Sequence, residues 1–451
     1  MNRTLCRTQW VRRTLTAAAL FFGLGTAWAS AQSAPVFVTL GPADAALYKP
    51  DSGPPPHVAL VVIHRTADYM RHPACTELAQ RGFMLLCVNT RYTGNEETVR
   101  FEDVALDVKA AVTYLRKQPG ITKVLLFGHS GGGPTVSFYQ AVAENGMAYC
   151  QKPERRVKCT DALANLPPAD GIVFADSHPG NPVNVLRGIN PAVLNEHNPP
   201  DPGADPALDP FDPKNGYDPN GKSHYSEDFQ RRYYAAQSKR MNALIDQSLA
   251  KLQAMKNGTY GYPDDDIIVI PRGGNPGSGP GAAAALFALD PSIAGVMSTV
   301  RPEKLLRNDG TIVKQVVNSV YAPDPKLKAQ HYTFDNGTKI LSIRSFLSAN
   351  AVRSTNSLDG IDDCSSNNST ICAVQSIAVP EMFAAMGGHY FIRDVEREYD
   401  LSASKDKDYV VIEGAQHTFI PCTACETTPG QYSNTMKNLM DYIRDWINKR
   451  Y

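Results

Sequence analysis

The sequence predicts an α/β fold in which a mostly parallel sheet is flanked by helices. Four apolar runs of strand length follow one another, at residues 58–63, 83–88, 124–127 and 171–175. These runs are continuous, and continuous apolar runs are typical of parallel strands that are buried on both faces. Residues 101–117, between the second and third runs, have the apolar spacing of an amphipathic helix.

The other predicted elements extend this alternation toward both ends of the chain. They are an edge strand at 36–40, a short helix at 73–81, a helix at 134–144, strands at 382–386 and 409–412, and helices at 391–399 and 433–448. In a parallel sheet, functional side chains gather at the carboxyl ends of the strands. Arg65, Ser130 and Asp176 each follow a predicted strand, and we therefore expect them at one edge of the sheet.

The alternation of predicted strands and helices does not continue through residues 181–378. Residues 190–224 are rich in Pro, Asp, Asn and Gly, and residues 226–255 predict one long helix. Its apolar face would consist of Met241, Ile245, Leu249, Leu252 and Met255, with Leu244 at the edge. We interpret the segment as an inserted, largely helical and loop-rich cap domain, which leaves residues 32–180 and 379–451 as the core.

Charge and composition narrow the classes of function. The chain has 451 residues with 45 basic and 45 acidic side chains, so its formal net charge is zero. A neutral chain does not favour a nucleic-acid partner or an anionic surface. The sequence has no glycine-rich phosphate loop and no dinucleotide fingerprint, and we expect no organic cofactor.

Residues 1–31 have the arrangement of a secretory signal peptide. Arg12 and Arg13 precede an apolar run at 15–27, and small residues around Ala29 and Ala31 suit cleavage. The apolar run is too short to span a membrane, and no later run reaches that length. The sequence therefore predicts a periplasmic or secreted protein.

Export affects how the cysteines are interpreted. Eight remain after the signal, and an even number in an oxidising compartment favours disulfides. Proximity suggests the pairs Cys75–Cys87, Cys150–Cys159, Cys364–Cys372 and Cys422–Cys425. The spacing of Cys422 and Cys425 also suits half a zinc site, but no second Cys or His pair stands at ligand spacing nearby, and we expect no metal.

The stretch Gly128-His129-Ser130-Gly131-Gly132 has the G-x-S-x-G pattern of a nucleophile elbow. In this turn a strand passes directly into a helix, and the serine lies at the apex with a strained backbone. A serine hydroxyl is a weak nucleophile and needs a base within hydrogen-bond reach. His417, which follows the predicted strand at 409–412, is the candidate base.

Serine, then acid, then histidine, with strands between them, resembles the α/β-hydrolase superfamily of the serine esterase or lipase type. The resemblance covers residues 57–180 and 380–448 and leaves the insertion outside. It implies that Ser130 is the nucleophile and that His417 is the general base.

The resemblance also implies an oxyanion hole made of two backbone N–H groups. One would be that of Gly131, the residue after the nucleophile. The other would follow the strand at 58–63, where this chain has His64-Arg65 in place of the usual His-Gly. The second donor is therefore expected to be the backbone N–H of Arg65.

The sequence offers three candidates for the acid of the triad. Superfamily members usually carry it after the strand at 382–386, where this chain has Gly387-Gly388-His389-Tyr390 and no carboxylate. Asp176 ends the preceding strand, where a minority of lipases in the superfamily place the acid. Glu396, on the helix after His389, is the second alternative, and Asp394 is the third.

These residues together predict a secreted serine hydrolase that cleaves a small-molecule or polymeric carboxylic ester through a Ser-His-acid triad and an acyl-enzyme intermediate. The same machinery serves amidases or peptidases, lactonases and thioesterases. A non-catalytic binding module on the same fold is a further alternative, which the presence of both Ser130 and His417 disfavours.

Overall fold

The computed structural model describes residues 33–274, 285–321 and 327–451. The predicted signal peptide, residues 1–31, lies outside the described residues. Within them the strands are β1 Val36–Thr39, β2 Asp44–Tyr48, β3 Val58–His64, β4 Met84–Asn89, β5 Lys123–His129, β6 Gly171–Ala175, β7 Ile267–Ile270, β8 Glu303–Leu306, β9 Ile312–Gln315, β10 Lys339–Ser342, β11 Ser354–Asn356, β12 Gly360–Ile361, β13 Glu381–Met386 and β14 Lys407–Ile412. The helices are α1 Pro73–Ala79, α2 Phe101–Arg116, α3 Gly132–Asn145, α4 Asn181–Gly188, α5 Glu227–Lys256, α6 Leu327–His331, α7 Phe334–Gly337, α8 Ile343–Ser345, α9 Thr370–Ala373, α10 Ile392–Leu401 and α11 Thr435–Asn448.

Ten of these strands form one sheet, in the order β1-β2-β4-β3-β5-β6-β13-β14-β8-β9. The strands from β4 to β8 in this order run parallel, and antiparallel neighbours close both edges. The central strands β3, β6 and β13 are buried along their whole length, as their continuous apolar runs predict. The mostly parallel sheet predicted from the sequence is confirmed.

Helices cover both faces of the sheet. On one face, α2, α3 and α10 pack against strand residues that include Val61, Leu126 and Phe174. On the other face, α1 and α11 pack against the intervening residues, such as Val62 and Phe127. Because successive residues of a strand point to opposite faces, one apolar run contributes to both cores.

Two strands of the predicted cap belong to the sheet. β8 and β9 lie within residues 181–378, yet β8 pairs in parallel with β14 and β9 forms the outer edge. Each strand is four residues long and mixes charged with apolar residues, so neither has the pattern of a buried strand. A strand near the edge of a sheet does not need a continuous apolar run, because part of it faces water.

The rest of the inserted segment has apolar cores of its own. The hydroxyl of Ser226 accepts a hydrogen bond from the first turn of α5, which fixes the start of this helix. Met241, Leu244 and Ile245 are buried against α4, β7 and β10, whereas Leu249 is 37% exposed. Met255 is also buried and Leu252 is partly buried, so the predicted face is buried except at Leu249, and Leu244 belongs to it.

The structure joins the eight cysteines in the four pairs expected from proximity, Cys75–Cys87, Cys150–Cys159, Cys364–Cys372 and Cys422–Cys425. Each bond links residues that are close in sequence, so each closes a local loop. Across residues 33–274, 285–321 and 327–451, no helix is both long enough and apolar enough to span a membrane.

A buried glutamate stands at the amino end of the central strand β13. Glu381 has no exposed surface, its Oε2 accepts from the hydroxyl of Ser402, and its Oε1 has no hydrogen-bond partner among the described residues. Burial raises the pKa of Glu381 to about 8 from its usual value near 4.5. The folded chain therefore keeps a proton on Glu381 at pH values where the unfolded chain releases it.

We predict that Glu381→Gln makes the fold more stable than the wild type at alkaline pH. The free energy of unfolding of the wild type falls by about 1.4 kcal/mol for each pH unit between about 4.5 and 8 relative to the variant, because only the wild type must keep this proton. Thermal unfolding midpoints at pH 5 to 9 measure the difference. Glu154→Gln, at an exposed position, is the control. Parallel pH curves for the wild type and Glu381→Gln would contradict the prediction.

Candidate active site

Ser130 lies at the turn between β5 and α3, and its φ is 56°. A left-handed backbone is costly for a residue with a side chain and persists only where close packing enforces it. A Cβ atom on Gly132 would lie 2.4 Å from the carbonyl oxygen of Ile63, and one on Gly128 would lie 2.7 Å from the side chain of Val136. Strand and helix approach so closely that only glycine fits at both positions, and this is the geometry of a nucleophile elbow.

Asp176 follows β6, the neighbour of β5 in the sheet. His129 of β5 pairs with Ala175 of β6, so Ser130 and Asp176 leave the sheet at the same level. The main chain of Asp176 is also left-handed, with φ of 45°, and its N–H donates to the carbonyl oxygen of Ala384 at 2.7 Å. The sheet therefore brings the serine and this carboxylate to one edge.

The Asp176 carboxylate is completely buried. Its Oδ1 accepts from the backbone N–H of Met386 at 3.2 Å, and its Oδ2 accepts from Nδ1 of His417 at 2.6 Å. Burial alone raises the pKa of a carboxyl group, but His389 and His417 outweigh this effect and lower the pKa of Asp176 to about 2. Asp176 is therefore ionised at neutral pH.

The hydrogen bond to Asp176 fixes the orientation of His417. An ionised carboxylate can only accept, so the proton of the neutral imidazole is on Nδ1 and the lone pair is on Nε2. The side chain of His417 is 30% exposed, and Ser130 is half-buried. Among the described residues, neither the Ser130 hydroxyl nor Nε2 of His417 has a hydrogen-bond partner, so both are available to a substrate.

The loop that carries His417 is held by a chain of histidines. Backbone N–H groups only donate, so the N–H of Ala74, 3.2 Å from Nδ1 of His72, places the His72 proton on Nε2. This nitrogen donates to Nδ1 of His129 at 3.0 Å, and Nε2 of His129 donates to the carbonyl oxygen of His417 at 2.8 Å. Burial lowers the pKa of His72 to about 3 and that of His129 well below its usual value, so both rings are neutral.

His389 occupies the turn where superfamily members usually carry the acid. Its Nδ1 lies 2.7 Å from Oδ2 of Asp176, although not along a hydrogen-bonding direction. Its ring stacks on that of His417, with 4.4 Å between the centroids. A second histidine therefore contacts the buried carboxylate. No local sequence pattern indicates this contact, because it depends on Asp176 reaching across from the neighbouring strand.

Asp176, His389 and His417 are also the residues that could hold a metal ion, since one ligand atom from each lies within 4.8 Å of the others. Both imidazole nitrogens lie within 2.7 Å of the same carboxylate oxygen. Ligands that each bind an ion at about 2.0–2.2 Å would stand farther apart than this. The distances between these atoms therefore fit direct contact between the imidazole rings and the carboxylate better than they fit a bound metal ion.

The alternative acids have other partners. Glu396 accepts from the backbone N–H of Val300 at 2.7 Å and lies 3.9 Å from Nε of Arg393. Asp394 forms an ion pair with Arg187 at 2.8 Å. Neither carboxylate contacts His417, so of the three candidates the structure brings Asp176 alone to this histidine.

Three side-chain nitrogens surround the backbone of Gly131. A Cβ atom on this glycine would lie 2.4 Å from Nη1 of Arg65, 2.5 Å from Nε2 of His64 and 3.2 Å from Nε2 of His178. The residue that follows Ser130 is therefore packed against polar side chains, which the expected backbone oxyanion hole does not require. No sequence pattern indicated this, because Arg65 and His178 come from different strands.

The order of the strands, the elbow at Ser130 and the order of Ser130, Asp176 and His417 along the chain agree with one fold. The chain has an α/β-hydrolase fold. No family model matches it, and no curated protein matches its sequence.

Solved structures with similar folds include three esterases. A thermostable carboxyl esterase from Bacillus coagulans is 12% identical with a TM-score of 0.41, over 92% of this chain and 97% of that one. Est1E from Butyrivibrio proteoclasticus is 10% identical with a TM-score of 0.37, over 92% and 98% of the two chains. Brefeldin A esterase, described as a bacterial homologue of human hormone-sensitive lipase, is 11% identical with a TM-score of 0.39, over 92% and 77%. Similarities of this size carry no inference about the substrate of this chain.

We predict that Asp176→Asn lowers kcat for ester hydrolysis by about 10⁴-fold, because an amide in this place favours the wrong tautomer of His417. Asparagine tolerates the left-handed backbone at this position, so the turn is preserved. Glu396→Gln, which removes the charge of the alternative acid, leaves kcat within about threefold. Steady-state kinetics on a p-nitrophenyl ester measures both. A loss in Glu396→Gln and none in Asp176→Asn would contradict this choice of acid.

Proposed function

We propose that the chain is a serine hydrolase that cleaves carboxylic esters, with Ser130 as the nucleophile, His417 as the base and Asp176 as the acid. The proposal rests above all on the 2.6 Å hydrogen bond between His417 and the buried Asp176, at the sheet edge where Ser130 lies. This bond leaves Nε2 of His417 as a proton acceptor.

In the first half of the proposed reaction, Oγ of Ser130 bonds to the carbonyl carbon and its proton passes to Nε2 of His417. The carbonyl π electrons move onto the oxygen, which becomes negative. When the tetrahedral intermediate collapses, the bond to the alcohol oxygen breaks and the alcohol takes the proton from His417. Water then attacks the acyl-enzyme by the same steps and releases the carboxylic acid. Asp176 stays ionised throughout.

A cavity of about 380 Å³ supports a substrate with an apolar part. Leu286, Phe287 and Tyr390 contribute to its lining. The triad residues do not line it, but the ring of the lining residue Tyr390 is 4.0 Å, between centroids, from that of His389, which contacts Asp176. We propose that this cavity holds the acyl or the alcohol group of the ester.

Esters are the preferred substrate class over amides. An alcohol is a better leaving group than an amine, which departs only after full protonation, so an ester makes a smaller demand on the general acid. The four disulfides support an oxidising compartment, and we propose a periplasmic or secreted location.

We predict that Ser130→Ala lowers the rate of p-nitrophenyl ester hydrolysis by about 10⁴–10⁶-fold, because the acyl-enzyme cannot form. Ser137→Ala is the matched control, since Ser137 is buried in the same helix α3, and among the described residues its hydroxyl donates only to the carbonyl oxygen of Pro134. Its rate stays within about threefold of the wild type. Rates on a matched ester and amide, measured with the wild type, test the substrate class. Wild-type activity in Ser130→Ala would contradict the proposal, and faster amide cleavage would contradict the preference for esters.

A further inference from the structure

The two histidines beside Gly131 are both proton donors toward it. Nδ1 of His64 accepts from the backbone N–H groups of Thr66 at 3.0 Å and Ala67 at 2.8 Å, so the proton of His64 is on Nε2. Nδ1 of His178 accepts from the N–H of Gly180 at 3.2 Å, which gives His178 the same tautomer. Burial lowers the pKa of both rings well below the usual value, and both are neutral.

The third donor carries a full charge. The side chain of Arg65 is 1% exposed, and its Nη2 donates to Glu96 at 2.7 Å. Thr66 also donates to Glu96, at 2.7 Å, and holds this carboxylate in place. Arg65 is therefore fixed with its Nη1 against Gly131.

Nη1 of Arg65 is buried and has no hydrogen-bond partner among the described residues. A buried charged donor without an acceptor is costly, and a native fold keeps one where a ligand completes it. A Cβ atom on Gly131, the residue that follows Ser130, would lie 2.4 Å from this nitrogen. An oxygen that acquires negative charge at Ser130 would supply the missing acceptor.

We propose that Arg65, His64 and His178 form a side-chain oxyanion site that acts together with the backbone N–H of Gly131. The inference rests on the proposed ester hydrolysis and goes beyond it, since the backbone N–H of Arg65 was the expected second donor. As Oγ of Ser130 bonds to the carbonyl carbon, the electron pair that moves to oxygen meets Nη1–H of Arg65 and Nε2–H of the two histidines. These groups keep their protons throughout, and the electron pair returns when the carbonyl re-forms.

A charged donor stabilises the tetrahedral state more than the neutral ester, because charge is present on the oxygen only in the former. The site therefore favours inhibitors that become anionic on the serine. Phenylboronic acid is such a probe, since it is neutral and trigonal in solution and becomes a tetrahedral anion when Oγ adds to boron.

The test measures kcat and KM on p-nitrophenyl acetate and the inhibition constant of phenylboronic acid in Arg65→Met. We expect kcat to fall by about 10²–10³-fold with KM within about threefold, and boronate affinity to fall in parallel with kcat/KM. Arg91→Met is the matched control, because Arg91 forms a comparable ion pair with buried Asp107. It stays within about threefold of the wild type in all three quantities.

Arg65→Met leaves Glu96 buried without its partner, which threatens the fold. The double variant Arg65→Met/Glu96→Gln removes both charges and shows the same loss, with the far-UV circular dichroism of the wild type. If both variants behave like Arg91→Met, or if only KM changes, the oxyanion role is wrong while ester hydrolysis stands. If the wild type itself neither cleaves the ester nor binds the boronate, the proposed function fails and this inference fails with it.

Discussion

Asp176 carries a negative charge at a place that water does not reach, and the arrangement of the candidate site follows from this constraint. An isolated carboxylate in such a place would take up a proton. Here the N–H of Met386 and the imidazole of His417 donate to it, and the ring of His389 lies against it. Because the charge needs these donors, His417 cannot turn without leaving the carboxylate unsatisfied. The same bond that satisfies Asp176 therefore orients His417, the proposed base.

The surrounding histidines serve as fixed, neutral hydrogen-bonding groups. His72 and His129 connect α1 and β5 to the carbonyl oxygen of His417. His64 and His178 each accept backbone N–H groups of their own turns and direct the opposite nitrogen to Gly131. Since burial keeps these rings uncharged, Arg65 supplies the positive charge beside Gly131. Charge is thus concentrated at one donor, where the negative oxygen of the reaction would develop.

The sequence allowed prediction of those features that depend on local patterns. Continuous apolar runs marked the central strands, and residues that follow them, Ser130, Asp176 and His417, were expected at one edge. Asp176 and Glu396 could not be separated, since the choice depends on which strands are neighbours. β8 was not predicted, because a strand near the edge of the sheet tolerates charged residues and therefore lacks a continuous apolar run.

The contacts of His389 and of the Arg65 side chain depend on tertiary packing between distant segments. Glu96, which holds Arg65, lies 31 residues away in the chain, and His178 belongs to another strand end. Short-range sequence patterns carry no information about contacts between such distant segments. The sequence predicts a backbone donor at Arg65, but it carries no information about where the guanidinium of this residue lies.

The central claim is that Ser130 is a nucleophile activated by His417 and Asp176. Mass spectrometric peptide mapping of the chain after treatment with a fluorophosphonate tests it most directly, since the reagent forms a covalent bond with an activated serine. The account predicts one adduct per chain, on the peptide that contains Ser130. An unmodified Ser130 peptide, or an adduct on another serine, would contradict it.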